Sequence, residues 1–453
     1  MGCIYSILKH WTDGKRIMST EAWAITTLIV SFAVLVSLNV PVAFCMGIST
    51  LLGVIIAGDL PSFLIVAQRM ATGIDSFSLL AIPFFILSGL FMERGGIARR
   101  LIDFANVIVG RFRGGLAYAN ILTCMLFGSI SGSAGAAVCS VGSFMIPVMN
   151  KMGYDREFNT SVSITAATTG LLIPPSNIMI VYSLATGGAV SIAALFIAGV
   201  LPGILVGLGL MVVAGIISIR NSYGKGEKFT FGQGIKRFFA AVPALLLIVI
   251  VMGGILSGIF TATEASAIAV VYSLILSVFI YKEVKPREIP EILLKSAVVT
   301  AVVFLLIATS MAMSWFLALE NVPQNLSAFL LGLTNSKVII LLIINLLLLV
   351  VGMFMDMTPA VLIFTPIFLP VIKSFGIDVL HFGIIMIINL CIGLCTPPVG
   401  TVLFLGCGIG ETTVTKVMRH ILPFFAAMIV VLFICTYVPE ISLALPRWVG
   451  LIK

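Results

Sequence analysis

Apolar stretches of bilayer-crossing length recur along this chain, at roughly 22–38, 40–57, 78–92, 158–173, 190–219, 239–257, 262–281, 296–318, 338–355, 382–395 and 421–438. A spanning helix takes about 20 predominantly apolar residues. Hydrocarbon offers no partner to a bare backbone amide or carbonyl, so such segments are expected to pair their own backbone groups as helices. The chain is therefore expected to be an all-α polytopic membrane protein with about ten to twelve spans, plus partial ones. Charge content agrees: 10% of the residues are Asp, Glu, Lys or Arg, where a soluble domain has about 25%.

The formal net charge is +8. In a soluble protein that balance would suit nucleic acid, but here Lys and Arg fall in short loops between apolar runs. There they set membrane orientation, and no nucleic-acid partner is expected. Eight Cys are scattered without paired spacing. Cys391 and Cys395 share one helix face and read as small packing residues. The three His, at 10, 381 and 420, are too far apart in sequence to suggest a metal site. No P-loop and no Ser/His/Asp arrangement appears, so neither ATP hydrolysis nor enzymatic chemistry is expected. Residues 1–20 are polar and basic, either a cytoplasmic tail or a segment upstream of a start at Met18, with no cleavable signal. Their opening MGCIYS fits the myristoylation pattern, a match expected to be accidental in a multi-span chain.

The chain also repeats itself. Glu93 ends an apolar helix in FMERGGIARRLI, and Glu320 does so in FLALENVPQNLS. A Gly/Ser-rich segment, FGSISGSAGAAVCSVGSFMIPVM, follows the first, and VGMFMDMTPAVLIFTPIFLP follows the second. Each leads to a helix interrupted by a double proline, GLLIPPSNIMIVYSLATG and IGLCTPPVGTVLFLG. Ser131 lies 38 residues after Glu93, and Asp356 lies 36 after Glu320. Pro174 lies 43 residues after Ser131, and Pro397 lies 41 after Asp356. Three landmarks in one order at near-equal spacing indicate an internal duplication.

Charge suggests how the copies are oriented. Residues 93–157 hold seven basic side chains (Arg94, Arg99, Arg100, Arg111, Arg113, Lys151 and Arg156), whereas 320–381 holds two, Lys337 and Lys373. Basic loops stay in the cytoplasm, so the two copies are expected to be inverted in the membrane. The expected organisation is a tail at 1–20, a first repeat at 21–219, a basic cytoplasmic loop at 220–238 and a second repeat at 239–453. Each repeat would contain a re-entrant hairpin (about 117–150 and 338–370) and a broken helix (about 158–187 and 382–409). Glu93 and Glu320 read as membrane-boundary residues.

The breaks are where chemistry is expected. Proline removes a backbone donor and blocks the preceding turn, so a Pro-Pro pair frees carbonyls and amides that protein, ions or cavity water must satisfy. Carbonyl ends favour cations and amide ends favour anions, which suits a cation-coupled anion carrier. Ser129, Ser131 and Ser133 with Gly128, Gly132 and Gly135 form one tip. Thr168, Thr169 and Gly170 precede the first Pro-Pro, and Ser176 and Asn177 follow it. Gly352, Asp356 and Thr358 lie in the second hairpin, and Gly393, Thr396, Gly400 and Thr401 border the second Pro-Pro. Such oxygen donors suit Na⁺ better than a transition metal. Small residues in membrane helices also serve as packing seams. Asp356, a carboxylate in an apolar run, is functional by default, unless its tip is exposed to water. Glu264 is equally readable as a first-turn carboxylate that satisfies helix amides.

DSFSLLAIPFFILSG (75–89), SISGSAG, GLLIPPS, GIFTATEAS, GMFMDMTP and GLCTPPVG together resemble the large membrane subunit of tripartite ATP-independent periplasmic (TRAP) transporters, over about residues 22–450. The resemblance implies two inverted repeats and an elevator-type ion-transporter-like fold in the bacterial inner membrane. It implies Na⁺-driven import of a small organic acid, a carboxylate or sugar acid. The acid would be handed over by a periplasmic binding protein, with a separate small four-helix membrane subunit as partner and membrane lipid around both. No cofactor is implied beyond Na⁺ as coupling ion. By this resemblance Ser131, Ser133 and Gly170 mark one Na⁺ site, and Gly352, Thr358, Gly393 and Thr396 the other, with Asp356 at the acidic position of the second hairpin. Ser133, Ser176, Asn177, Thr358, Thr396, Gly400 and Thr401 are the candidates for holding substrate. The first hairpin carries Ala136 and Ala137 and no carboxylate, so an ion there would rest on carbonyls and hydroxyls.

The rival readings are a stand-alone carrier that needs no binding protein, a channel, and an intramembrane enzyme. The orientation is testable by itself: cysteines introduced at 94–113 should react with an impermeant maleimide only from the cytoplasmic face, and those at 320–325 only from the outer face. The reverse labelling would overturn the inverted arrangement.

Overall fold

The computed structural model describes residues 22–38, 40–58, 62–224 and 230–452. The polar tail 1–20, and residues 225–229 of the basic loop, lie outside the described residues. No β-strand forms among the described residues. In chain order the helices begin with α1 (Ala22–Ser37), α2 (Val42–Ala57), α3 (Ser62–Gly73), α4 (Ala81–Arg94) and α5 (Ile97–Val109). Then come α6 (Gly115–Ser131), α7 (Ala134–Ala137), a π-turn over Val138–Gly142, and α8 (Ser143–Lys151). Next are α9 (Arg156–Thr169), α10 (Asn177–Ala185), α11 (Ile192–Arg220), α12 (Phe231–Leu256), α13 (Ala262–Ile275) and α14 (Ile289–Leu319). The last are α15 (Val322–Leu333), α16 (Lys337–Phe354), α17 (Met357–Ser374), α18 (Val379–Gly393), α19 (Thr401–Ile409), α20 (Val414–Tyr437) and α21 (Glu440–Trp448).

Among the described residues eight helices are long and apolar enough to cross a bilayer, fewer than the ten to twelve expected. Four shorter apolar helices, α1, α2, α6 and α18, account for the difference. Side chains such as Val212, Ile216 and Val249 are more than half exposed. A surface of that kind belongs against lipid, so this is a multi-pass membrane protein.

The chain divides into two compact units that cut across the sequence repeats. Among the described residues, the smaller holds those of 1–76, 301–335 and 362–374, and the larger those of 77–300, 336–361 and 375–453. In the smaller unit, α2 and α3 lie close against the second half of α14. A Cβ on Gly53 would come within 2.9 Å of the Phe316 ring, and one on Gly73 within 2.7 Å of the Met311 side chain.

In the larger unit, α9 is a buried helix with a polar sequence, REFNTSVSITAATT. It is tolerated because its hydroxyls are paired inside the helix. Thr160 donates to Arg156 O at 2.8 Å, Ser161 to Glu157 O at 2.7 Å, Thr165 to Ser161 O at 2.9 Å and Thr169 to Ala166 O at 2.6 Å. Its small side chains let α18 and α19 approach: Cys391 Sγ donates to Thr168 O at 3.4 Å and Cys395 Sγ to Ile164 O at 3.6 Å. Both cysteines thus face α9, Cys391 from α18 and Cys395 from the break just past its end rather than from the same helix. Asn389 donates to Asn345 Oδ1 at 2.8 Å and Asn345 to Thr436 Oγ1 at 3.1 Å, so α16, α18 and α20 are joined by amides within an apolar core. His381 is buried beside Ser442 Oγ, at 2.7 Å from Nδ1.

Ion pairs gather one end of the larger unit. Arg94 meets Glu291 at 2.8 Å, Arg100 meets Glu283 at 3.4 Å, and Arg237 meets Asp103 at 3.6 Å. The loops that end α4 and begin α5, α12 and α14 therefore lie together. Nearby, Tyr154, between α8 and α9, donates to Gly224 O at 3.0 Å. Burial pushes its phenol up to about 12, so it stays a hydroxyl donor at neutral pH. Glu264 forms a reciprocal cap with Thr261: Thr261 N donates to Glu264 Oε2 at 2.8 Å, and Glu264 N to Thr261 Oγ1 at 3.3 Å. The capping alternative is the one this geometry shows.

Tyr182 of α10 is fully buried and donates to Val379 O at 2.7 Å. Tyr182→Phe leaves that carbonyl without this donor and should lower stability by about 1–2 kcal/mol, measurable as a lower unfolding temperature of the detergent-solubilised protein.

Candidate functional site

The first tip is closed by backbone geometry. α6 stops at Ser131 because Gly132 takes a left-handed φ of +63° and its N–H returns to Gly128 O at 2.8 Å. Ser133 is extended and caps α7, its Oγ accepting from Ala136 N at 3.2 Å. Ser131 Oγ lies 3.4 Å from Ser133 O, to which it donates. Opposite, α9 ends at Thr169, the chain breaks over 170–176 with a cis Pro174–Pro175 bond, and α10 resumes at Asn177. The tip segment and the break touch backbone to backbone: a Cβ on Gly128 would lie 2.8 Å from Gly170 Cα. A Cβ on Gly132 would lie 2.8 Å from Asn177 Nδ2, so the start of α10 adjoins the tip.

The second pair repeats this plan with other residues. α16 ends at Phe354, and α17 begins at Met357. α18 ends at Gly393, the chain breaks with a cis Pro397–Pro398 bond, and α19 resumes at Thr401. A Cβ on Gly393 would lie 2.6 Å from Gly352 Cα and 2.7 Å from Gly352 O. Val399 N donates across to Met353 O at 3.1 Å. Gly400 turns so tightly that a Cβ would lie 2.7 Å from Thr396 O. Unlike the first hairpin, all of which is in the larger unit, α17 beyond Val361 groups with the smaller one.

Hydroxyls expected at the site differ in what they are free to do. Ser176 is fully buried and its Oγ donates to Leu171 O at 2.6 Å, turned into its own break. Thr396 Oγ1 donates to Ile392 O at 2.7 Å and keeps lone pairs for a cation. Ser133 and Thr401 are exposed. Thr358 sits in the first turn of α17. Asp356 is exposed and directly precedes α17, its carbonyl accepting from Ala360 N at 3.2 Å. That is a capping position at the start of α17. Among the described residues no cluster of three His, Cys, Asp or Glu could hold a metal ion, so an alkali cation would rest on carbonyls, hydroxyls and this carboxylate.

A cavity of about 280 Å³ opens beside the first tip, lined among others by Ser131, Ser133, Gly135 and Asn177 with Glu93 and Lys295. Lys295 Nζ lies 3.8 Å from Glu93 Oε1. Glu93 had read as a boundary residue, and the structure sets it in the cavity wall. Its one sequence signal was its place at the head of the repeated landmarks; Lys295, 202 residues away, closes a basic stretch, 282–295, that reads only as a cytoplasmic loop. The second tip and break do not line this cavity. They adjoin the first through α19, where a Cβ on Gly135 would lie 3.4 Å from Leu405 Cδ1.

Two helix breaks, each in backbone contact with a glycine near a neighbouring helix turn, define a transporter-like membrane fold. The YdaH transporter of Alcanivorax borkumensis shares the fold with a TM-score of 0.63 at 12% identity, over 87% of this chain and 90% of that one. The Neisseria gonorrhoeae MtrF structure does so with a TM-score of 0.58, over 84% of each chain. The sequence model of the family described as "Tripartite ATP-independent periplasmic transporter, DctM component" matches residues 29–441. The chain belongs to this family: it is a large permease subunit of a TRAP transporter and not an enzyme. It is 44% identical to the C4-dicarboxylate TRAP transporter large permease protein DctM of Pseudomonas aeruginosa, over 83% of this chain and 88% of that one. It is 41% identical to the isethionate TRAP transporter permease protein DctMQ of Oleidesulfovibrio alaskensis, over 91% of this chain and 65% of that longer one.

Gly393→Ala would force a methyl group into the Gly352 backbone and should cost about 1–3 kcal/mol, the usual range for overpacking. Gly408→Ala, in α19 where nothing lies within 4 Å, should keep or slightly raise the unfolding temperature, since alanine favours the helix over glycine.

Proposed function

We propose that this chain imports a small carboxylate- or sulfonate-bearing acid across the bacterial inner membrane, coupled to Na⁺. The reading is supported by one observation above the others: both glycine contacts and both Pro-Pro breaks lie in the larger compact unit. That makes this unit the carrier part. The first Na⁺ site is assigned to Ser131, Ser133 and Gly170, and the second to Gly352, Thr358, Gly393 and Thr396, with Asp356 as the carboxylate of the second tip. Substrate is assigned to Ser133, Asn177, Thr358, Thr396, Gly400 and Thr401. Ser176 shapes the break rather than reaching the acid. Na⁺ offsets the cost of placing an anion at mid-membrane depth. The relatives' names, C4-dicarboxylate and isethionate, share a compact anionic end, and that is the substrate chemistry carried over. A periplasmic binding protein delivers the acid, and a small membrane subunit assembles with this chain. The side with the clustered ion pairs is the cytoplasmic one, and the first repeat and second repeat are inverted.

The test is uptake into proteoliposomes holding this chain and the small subunit, under an inward Na⁺ gradient, with and without the binding protein. Uptake should require both. Uptake without the binding protein would establish a stand-alone carrier instead. Asp356→Asn and Thr396→Val should each lower Na⁺-dependent uptake by about tenfold, the value of one charge-assisted contact, without loss of folded protein. Unchanged Na⁺ dependence in both would refute the ion-site assignment.

A further inference from the structure

The cavity beside the first tip contains a charge pair that the Na⁺ and tip assignments leave without a role. Glu93 lies in the last turn of α4 and Lys295 in the second turn of α14, so the pair joins the two repeats. At 3.8 Å it is loose beside the 2.8 Å of the neighbouring Arg94–Glu291 pair. Its Lys side chain is 51% exposed and its Glu side chain 20%. So open a contact adds little stability. Among the described residues the ion-pair partner of Lys295 is Glu93 alone, and an ammonium has three donors. The wall around it offers neutral, small groups: Ser131, Ser133, Gly135 and the Asn177 amide.

We propose that Lys295 anchors the carboxylate or sulfonate of the transported acid in this cavity. Glu93 is then the internal anion that holds the ammonium when no acid is bound and competes the acid off again. The inference rests on the reading of the chain as an organic-acid carrier. An arriving carboxylate can close to about 2.8 Å on an ammonium, nearer than the 3.8 Å at which Glu93 stands. Asn177 and Ser133 supply neutral donors to the rest of the molecule. A volume of about 280 Å³ admits a small acid. Glu93 stays close as a like charge, which limits how tightly the acid is held.

Cys139 lines the same cavity and is half-buried, whereas the other described cysteines are buried. In a Cys3→Ser background it reports on the cavity. The full-length protein in detergent is labelled with an anionic methanethiosulfonate (sulfonatoethyl) and a neutral one (methyl). Lys295→Gln should lower the anionic-to-neutral rate ratio by roughly three- to tenfold, the effect of one nearby charge. Lys295→Arg should keep the ratio, and Glu93→Gln should raise it. An unchanged ratio in Lys295→Gln, or a fall in Glu93→Gln, overturns the proposal. If Lys295→Gln does not fold, Glu93→Gln decides alone, since it leaves the ammonium in place. In a second arm, succinate and isethionate are titrated against labelling by the neutral reagent. Lys295→Gln should need about tenfold more acid for protection, and Glu93→Gln less. Equal protection in Lys295→Gln and the unmodified protein also overturns the anchor. If neither acid protects the unmodified protein, the anchor is overturned whatever the charge ratio, and the proposed function is judged separately by the proteoliposome uptake.

Discussion

Every buried backbone amide and carbonyl of this chain must find a partner inside the protein, because hydrocarbon supplies none. Uninterrupted helices meet that demand locally. The two Pro-Pro breaks do not, and the structure around them is arranged to make up the difference. At the first break Ser176 Oγ donates to Leu171 O. At the second, Val399 N reaches Met353 O and Val402 N reaches Leu394 O. What lets a neighbouring helix come close enough is the absence of side chains at Gly128 and Gly170, and again at Gly352 and Gly393. The glycine pairs and the prolines are therefore one device: the prolines open the helix, and the glycines admit the backbone that covers the opening.

The same constraint explains why the two repeats cannot be separated. α9 belongs to the first and α18 and α19 to the second, yet thiols of Cys391 and Cys395 hydrogen-bond to α9 carbonyls. Tyr182, just past the first break, is tied to the residue that opens α18. A polar helix such as α9 is stable in this position only because its hydroxyls are satisfied within it and its side chains are small. Enlarging or removing them would disturb contacts made by both repeats. The compact units, which draw on both repeats, reflect that interlocking.

Much of this was legible in the sequence for a physical reason: twenty-residue apolar runs and double prolines are local signals, and a duplication displays them twice. The T-x-x-E cap at Thr261 and Glu264 was legible in the same way. The features that were not legible depend on residues far apart. Glu93 looked like a boundary marker because nothing near it in sequence announces Lys295. Ser176 read as a site hydroxyl, and its hydrogen bond to Leu171 O exists only once the break has folded. The assignment of α17 to two units has no sequence signature at all, since its apolar pattern runs evenly through Val361. Asp356 was legible as an unusual carboxylate, but its position as the residue before α17 emerges only from the helix start.

Charge is sparse at the first tip, and the sparseness has a mechanical consequence. A carrier must hold its anion long enough to cross and then let it go, so binding that is equally strong in every state would stall it. A tight, buried ion pair beside the tip would be costly to break and slow to exchange. Glu93 and Lys295 instead form a half-exposed pair at 3.8 Å with no net charge, surrounded by hydroxyls and an amide. Such a pair can trade its internal carboxylate for an external one at small energetic cost. The spacing between this ammonium and the tip hydroxyls is set by α4, α6 and α14 rather than by any flexible loop.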